Sequence, residues 1–78
     1  MTYPLVLIEW EDHTGDAGWH TDESIKDLNH VNVRTVGYLV DDNDKSYKVA
    51  DSIIKEGGFG GVSVILKADV IQIWDVIF

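Results

Sequence analysis

Arg34 is the residue whose type and setting offer the clearest binding chemistry in this sequence. It lies in an apolar run, Val31 to Val40, and Thr35 follows it as a second polar side chain. One oriented guanidinium can hold a phosphate through paired hydrogen bonds, even in an acidic protein. The same group can instead form a structural salt bridge with Glu9 or Asp12. The sequence leaves both interpretations open.

Flat side chains that can stack on a ligand ring are spread along the chain. They are Trp10, Trp19, Tyr38, Tyr47 and Phe59. Trp19 lies in the loop His13 to His20, where it either plugs one end of the fold or offers a stacking platform worth about 1–3 kcal/mol per base. Phe59 lies among glycines, which indicates either a flexible hairpin loop or a mobile flap that closes over a ligand.

Catalytic and metal-binding patterns are missing from the sequence. The histidine spacings match no zinc pattern, and Asp41 to Asp44 lacks the glycine and distal glutamate of a calcium loop, so we interpret it as a turn. No serine has the neighbours of an activated nucleophile. The glycine run is not followed by the Lys-Ser or Lys-Thr of a phosphate loop. We expect a binding protein that is not an enzyme and that has no cofactor or metal.

Composition limits the compartment and the partners. The chain has 78 residues, no cysteine and a formal net charge of −8. We expect a single domain over residues 1–78, in a reducing compartment such as the cytoplasm. No apolar run reaches the roughly 18 residues of a membrane helix, and no basic region precedes the first apolar stretch, so we expect no membrane partner and no export. The few scattered cations make nucleic acid a less favoured partner.

The hydrophobic pattern predicts a mainly β chain. The predicted strands are Met1 to Trp10, Val31 to Val40, Lys45 to Ile54, Val62 to Lys67 and Ile71 to Phe78. One short helix, Thr21 to Asn29, follows the first strand, with Thr21 as its N-cap and with Ile25 and Leu28 facing the core. Asn29 can end that helix in a left-handed conformation.

Gly37 interrupts the second strand and indicates a bend or a bulge there. A strand bent at this place is what a small barrel needs. We therefore predict a small, strongly bent, five-stranded barrel of the Sm-like or SH3-like kind. The last strand is almost wholly apolar, so we expect it to be covered, either by closure of the barrel or by a neighbouring subunit.

Two stretches, IEWEDHTGDAGWH and VRTVGYLVDDND, resemble those of a group of short phage-encoded proteins. The shared pattern is W-x-D, a later Gly-Trp and a [Ser/Thr]-Val-Gly-aromatic strand. Its positions here are Trp10, Asp12, Gly18, Trp19, Thr35, Val36, Gly37 and Tyr38. The tail GVSVILKADVIQI is similar as well, so the resemblance covers most of the chain. A related group from ocean phages is similar to Sm-like barrels that assemble as rings.

The resemblance implies a function in the cytoplasm of a phage host. Small homo-oligomeric phage proteins include anti-defence sponges, which sequester nucleotide-type immune signals between subunits. On this hypothesis Arg34 holds a phosphate, and Trp19 or Tyr38 stacks on the base. Thr35 and Asp12 contact the ribose or the base edges, and Trp10 and Phe59 complete the expected ligand-binding set. Two alternatives remain: an Sm-like ring that binds single-stranded RNA or DNA, and an acidic inhibitor of a host protein.

Overall fold

The fold was obtained as a computed structural model that describes residues 3–13, 18–26 and 28–77. Its elements are β1 (Leu5–Asp12), α1 (Asp22–Lys26), β2 (Val31–Asp42), β3 (Ser46–Ile53), β4 (Phe59–Leu66), a 3₁₀ turn (Lys67–Asp69) and β5 (Val70–Asp75). The prediction of five strands, one short helix after the first strand and one turn before the last is confirmed. Predictions that concern residues 1–2, 14–17, 27 and 78 lie outside the described residues.

The five strands form one antiparallel sheet in the order β4-β3-β2-β1-β5. β4 and β5 are therefore its two edges. No ladder joins these edges within the described ranges, so the sheet is open and the closed barrel that we predicted is not confirmed.

The core lies on one face of this sheet, which we call the inner face. Val6 and Ile8 of β1 pack there against Val49 of β3 and Ile65 of β4. β1 and β4 are separated in the sheet by two other strands, so their side chains meet only because the sheet curls. Fully burying one such side chain contributes about 1.5–3 kcal/mol.

Gly37 allows β2 to pass unusually close to β3. A Cβ at this position would lie 2.9 Å from the backbone oxygen of Ala50 and 3.3 Å from Cβ of Val49. The register of β2 against β3 shifts a little further on, between Leu39 and Asp41. The bend predicted at Gly37 is therefore a close backbone approach, and the bulge lies beyond it.

Helix α1 begins as predicted but packs differently. The backbone N–H of Ser24 donates to Oγ1 of Thr21 at 3.1 Å, which confirms Thr21 as the N-cap. Ile25 and Leu28 are exposed, so the prediction that they face the core is wrong, and the helix itself is only five residues long. The prediction of a left-handed Asn29 is also wrong, since no described residue other than glycine has a positive φ. No helix in the described ranges is long and apolar enough to cross a membrane.

The chain is extended for its size. Its principal extents are 52 × 25 × 22 Å and its radius of gyration is 16.0 Å, whereas a compact chain of this length has about 11.5 Å. Its accessible surface is 6067 Å², against about 4,800 Å² for a compact monomer of 8.8 kDa. Only five apolar residues are buried among those described, and fourteen large ones are exposed. The excess, about 1,300 Å², is surface that a compact monomer would bury.

Candidate functional site

The predicted ligand-binding residues of β1 and β2 divide between the two faces of the sheet. Strand alternation and register place Arg34 and Tyr38 on the outer face, opposite the core. Trp10 and Thr35 lie on the inner face, where Trp10 packs against the core. One chain therefore does not bring these four side chains into one pocket.

The side chains of Trp10 and Thr35 are hydrogen-bonded to each other. The indole Nε1–H of Trp10 donates to Oγ1 of Thr35 at 3.0 Å in a partly buried setting. This bond satisfies the only polar atom of the indole and joins β1 to β2 across the sheet. This hydrogen bond gives both residues a structural role. Their contact with a ligand stays a prediction.

Arg34 pairs with Glu9, which is one of the two salt-bridge partners that the sequence left open. Nε of Arg34 donates to Oε1 of Glu9 at 2.8 Å. The Arg34 side chain is nonetheless 68% exposed, whereas that of Glu9 is 20% exposed. A guanidinium has five N–H donors, so the pair fixes the orientation of the group and leaves its terminal nitrogens toward solvent.

Two rows of side chains cross the outer face around this pair. Leu7 lies opposite both Val36 and Trp74, and Glu9 lies opposite both Arg34 and Gln72. The first row is apolar and the second is polar, and both run from β2 over β1 to β5. Trp74 was not among the residues predicted to bind a ligand. Alternation along β5 shows which of its residues share a face. It does not show which residues of β1 and β2 lie in the same row as Trp74.

The loop residues are separated from these rows. Trp19 is 104% exposed, so the interpretation that it plugs one end of the fold is wrong, and the stacking platform stays a prediction. Asp12 lies at the end of β1, opposite Val31 of β2. Trp19 and Asp12 belong to neither row, and their contact with a ligand stays a prediction.

Phe59 lies at the other end of the sheet, beside the tip of the β3–β4 hairpin. Its ring meets that of Tyr3 edge-on, with centroids 5.3 Å apart and planes at 79°. Both rings line a cleft of about 340 Å³ together with residues 53–58. This ring contact ties Phe59 to the residues before β1, and its predicted role as a flap is untested.

Two of the lysines form salt bridges with aspartates. Nζ of Lys48 lies 3.7 Å from Oδ2 of Asp41. Nζ of Lys67 lies 2.6 Å from Oδ1 of Asp42 and 4.7 Å from the ring centre of Tyr47, and its hydrogen bond with Asp42 raises the pKa of Lys67. These pairs engage Lys48 and Lys67, whereas Lys45 in the β2–β3 turn is exposed and forms no salt bridge with a described residue.

Asn43 organises that turn. Its Oδ1 accepts hydrogen bonds from the backbone N–H groups of Lys45 and Ser46, each at 2.9 Å. This is the local side-chain bonding by which asparagine favours turns. The predicted turn is confirmed at residues 43–45, whereas Asp41 and Asp42 belong to β2 and pair with Lys48 and Tyr47. No group of three or more potential metal ligands occurs in the described part of the chain.

His13 links the end of β1 to the 3₁₀ turn. Its Nε2 lies 3.0 Å from Oδ1 of Asp69. The hydrogen bond with Asp69, and then the charge of Asp69, raise the pKa of His13 above its ordinary 6.5. A group with a raised folded pKa stabilises the fold fully below its unfolded pKa and loses that effect as the pH rises through the folded value. This link therefore favours the fold at mildly acidic pH.

Asp69→Asn is expected to lower the pKa of His13 toward 6.5, because the substitution removes the main cause of the shift. The pKa is measured by following the His13 ring resonances by NMR as a function of pH. Asp75→Asn is the matched control, since Asp75 is an exposed carboxylate of β5 that takes no part in this link. An unchanged His13 titration in Asp69→Asn would contradict the assignment.

No known protein family, no curated protein and no solved structure matches this chain. The function proposed next therefore rests on the resemblance described above and on the geometry of this chain's own residues.

Proposed function

We propose that this chain is a phage-derived, homo-oligomeric binding protein that sequesters a nucleotide-type signal, as an anti-defence sponge. The observation that carries the proposal is Arg34, an exposed guanidinium whose orientation is set by Glu9. A guanidinium held in this way is preorganised for a phosphate, because its outward N–H groups match two phosphate oxygens. A sponge requires binding only, so it needs no activated nucleophile or metal.

Surface area supports the homo-oligomer. The excess of about 1,300 Å² over a compact monomer exceeds the roughly 800 Å² that each partner buries in a standard interface. β4 contains no charged residue (FGGVSVIL) and is an edge strand. Edge strands of monomers usually carry charges or prolines that prevent pairing. A neighbouring copy that covers the open side between β4 and β5 would complete a strongly bent, Sm-like or SH3-like barrel.

The paired lysines favour a small ligand over a nucleic-acid strand. A strand-binding surface needs a track of free cations, whereas Lys48 and Lys67 lie against Asp41 and Asp42. With a net charge of −8, the chain as a whole repels a polyanion. A single phosphate at Arg34 is less affected by this repulsion.

Calorimetric titration of the purified chain with cyclic dinucleotides and ADP-ribose tests the proposal. We expect at least one of them to bind with a Kd below about 10 µM, which corresponds to about −7 kcal/mol. Single-stranded RNA of the same concentration is the control, and we expect no binding at physiological salt. The proposal fails if none of the nucleotides reaches that affinity, or if light scattering finds only monomer.

A further inference from the structure

We propose that the two rows on the outer face form the nucleotide site, with Trp74 as the residue that stacks on the ring and Arg34 as the residue that binds the phosphate. This inference rests on the proposed function and adds to it the place of the site and a residue, Trp74, that the sequence did not indicate. The site lies on strands β2, β1 and β5 of the sheet rather than in the loop of Trp19 or at the hairpin tip of Phe59.

The register of three strands brings the two side chains to one face. β1 lies between β2 and β5, and the pairs Leu7–Trp74 and Glu9–Arg34 are adjacent rows on it. Strands lie about 4.8 Å apart and residues of one face about 6.8 Å apart along a strand, so the Cα atoms of Trp74 and Arg34 are about 12 Å apart. A base, a sugar and a phosphate together bridge such a span, whereas free phosphate or a free base contacts one end of it.

The polar row offers a phosphate one cation in a fixed position. Glu9 uses the Nε side of the Arg34 guanidinium and is itself largely covered, at 20% exposure. Because Glu9 lies beside Arg34 on the neighbouring strand and engages only its Nε–H, the terminal nitrogens of the guanidinium are left for a phosphate. Gln72 lies on the far side of Glu9 in the same row and is exposed, so its amide is placed to contact the polar groups between ring and phosphate.

The apolar row offers a surface for the ring. Trp74 is 41% exposed although it sits in a regular strand, and Val36 at the other end of the row is exposed as well. Aromatic side chains on an open sheet face stack on bases in this way, because every base has a flat face. Trp10 cannot serve here, since it packs on the inner face and donates to Thr35.

Titrations of three variants test this site, with ADP-ribose and cyclic di-AMP as the probes. For whichever probe the wild-type chain binds, we expect Trp74→Leu and Arg34→Gln each to raise the Kd at least tenfold. Ile77→Ala is the control, because Ile77 is an exposed apolar residue after β5 that belongs to neither row, and we expect less than a twofold change. Inorganic phosphate is expected to bind at least tenfold more weakly than the probe, since it contacts only Arg34.

The outcomes separate this inference from the proposed function. If the wild-type chain binds a probe and both Trp74→Leu and Arg34→Gln retain its affinity, the site is overturned while the proposed function stands. If the wild-type chain binds neither probe, both are overturned. If a variant does not fold, NMR of the wild-type chain decides: shifts of the Trp74 indole N–H and the Gln72 amide support the site, and a shift confined to Trp19 overturns it.

Discussion

Gly37→Ala is expected to destabilise the fold by about 1–3 kcal/mol, the usual cost of inserting a methyl group into a closely packed site. The new Cβ would lie 2.9 Å from the backbone oxygen of Ala50, a residue with no exposed surface. That oxygen belongs to the β3 backbone, so it cannot move aside as a flexible side chain would. β2 must then shift away from β3, which disturbs the packing of Val49 in the core. Urea unfolding at a fixed protein concentration measures the loss.

Gly60→Ala is the matched control for this prediction. Its Cβ would meet nothing closer than Cβ of Ser52 at 3.9 Å, and its φ is not positive. We expect its free energy of unfolding to stay within about 0.5 kcal/mol of the wild-type value, as for most surface substitutions. If Gly37→Ala unfolds at the same urea concentration as Gly60→Ala, the close approach of β2 to β3 is not a constraint on the fold.

If the chain forms the proposed homo-oligomer, Val64→Lys is expected to convert it to a monomer at protein concentrations of about 10 µM and to raise its dissociation constant at least a hundredfold, about 2.7 kcal/mol. Val64 lies in the middle of the uncharged edge strand β4 and is 60% exposed. A lysine there leaves the single chain intact, because the side chain already faces solvent. Charged side chains on an edge strand, lysine above all, oppose pairing with another chain. Light scattering coupled to gel filtration measures the mass.

Val36→Lys is the control for the edge prediction. Val36 is also exposed, but it belongs to β2, which has a hydrogen-bonded neighbour on each side. The same change of charge at a position away from the edge is expected to leave the mass of the oligomer unchanged. A Val64→Lys chain that keeps the wild-type mass would show that β4 does not take part in self-association.

Local patterns were enough to predict most of the secondary structure. Apolar runs and period-two alternation predicted the strands, Thr21 marked the start of the helix, and the acidic run Asp41 to Asp44 marked the region of a turn that begins after Asp42. Each of these depends on neighbours a few residues away in the chain. The sequence also marked Gly37 as irregular, although whether it bent the strand or formed a bulge depended on its distance to β3.

Features that depend on register between distant strands could not be predicted in the same way. Glu9 and Asp12 were both plausible partners for Arg34, and only the pairing of β1 with β2 decides between them. The bond between Trp10 and Thr35 joins residues 25 positions apart. The place of Trp74 depends on β5 adding to the free side of β1. Exposure of Ile25 could not be predicted either, since a helical pattern does not say whether a short helix reaches the core.

The three tryptophans lie in three different surroundings, so their fluorescence reports on three different parts of the chain. Trp10 is partly buried and hydrogen-bonded, Trp19 is surrounded by solvent, and Trp74 is half covered on the outer face. Fluorescence from Trp10 should move to longer wavelength when the chain is denatured, whereas Trp19 already emits as a hydrated indole and supplies a constant background. A ligand that binds at the outer face would then quench Trp74 and report on events at the sheet surface while the emission of Trp10 stays unchanged.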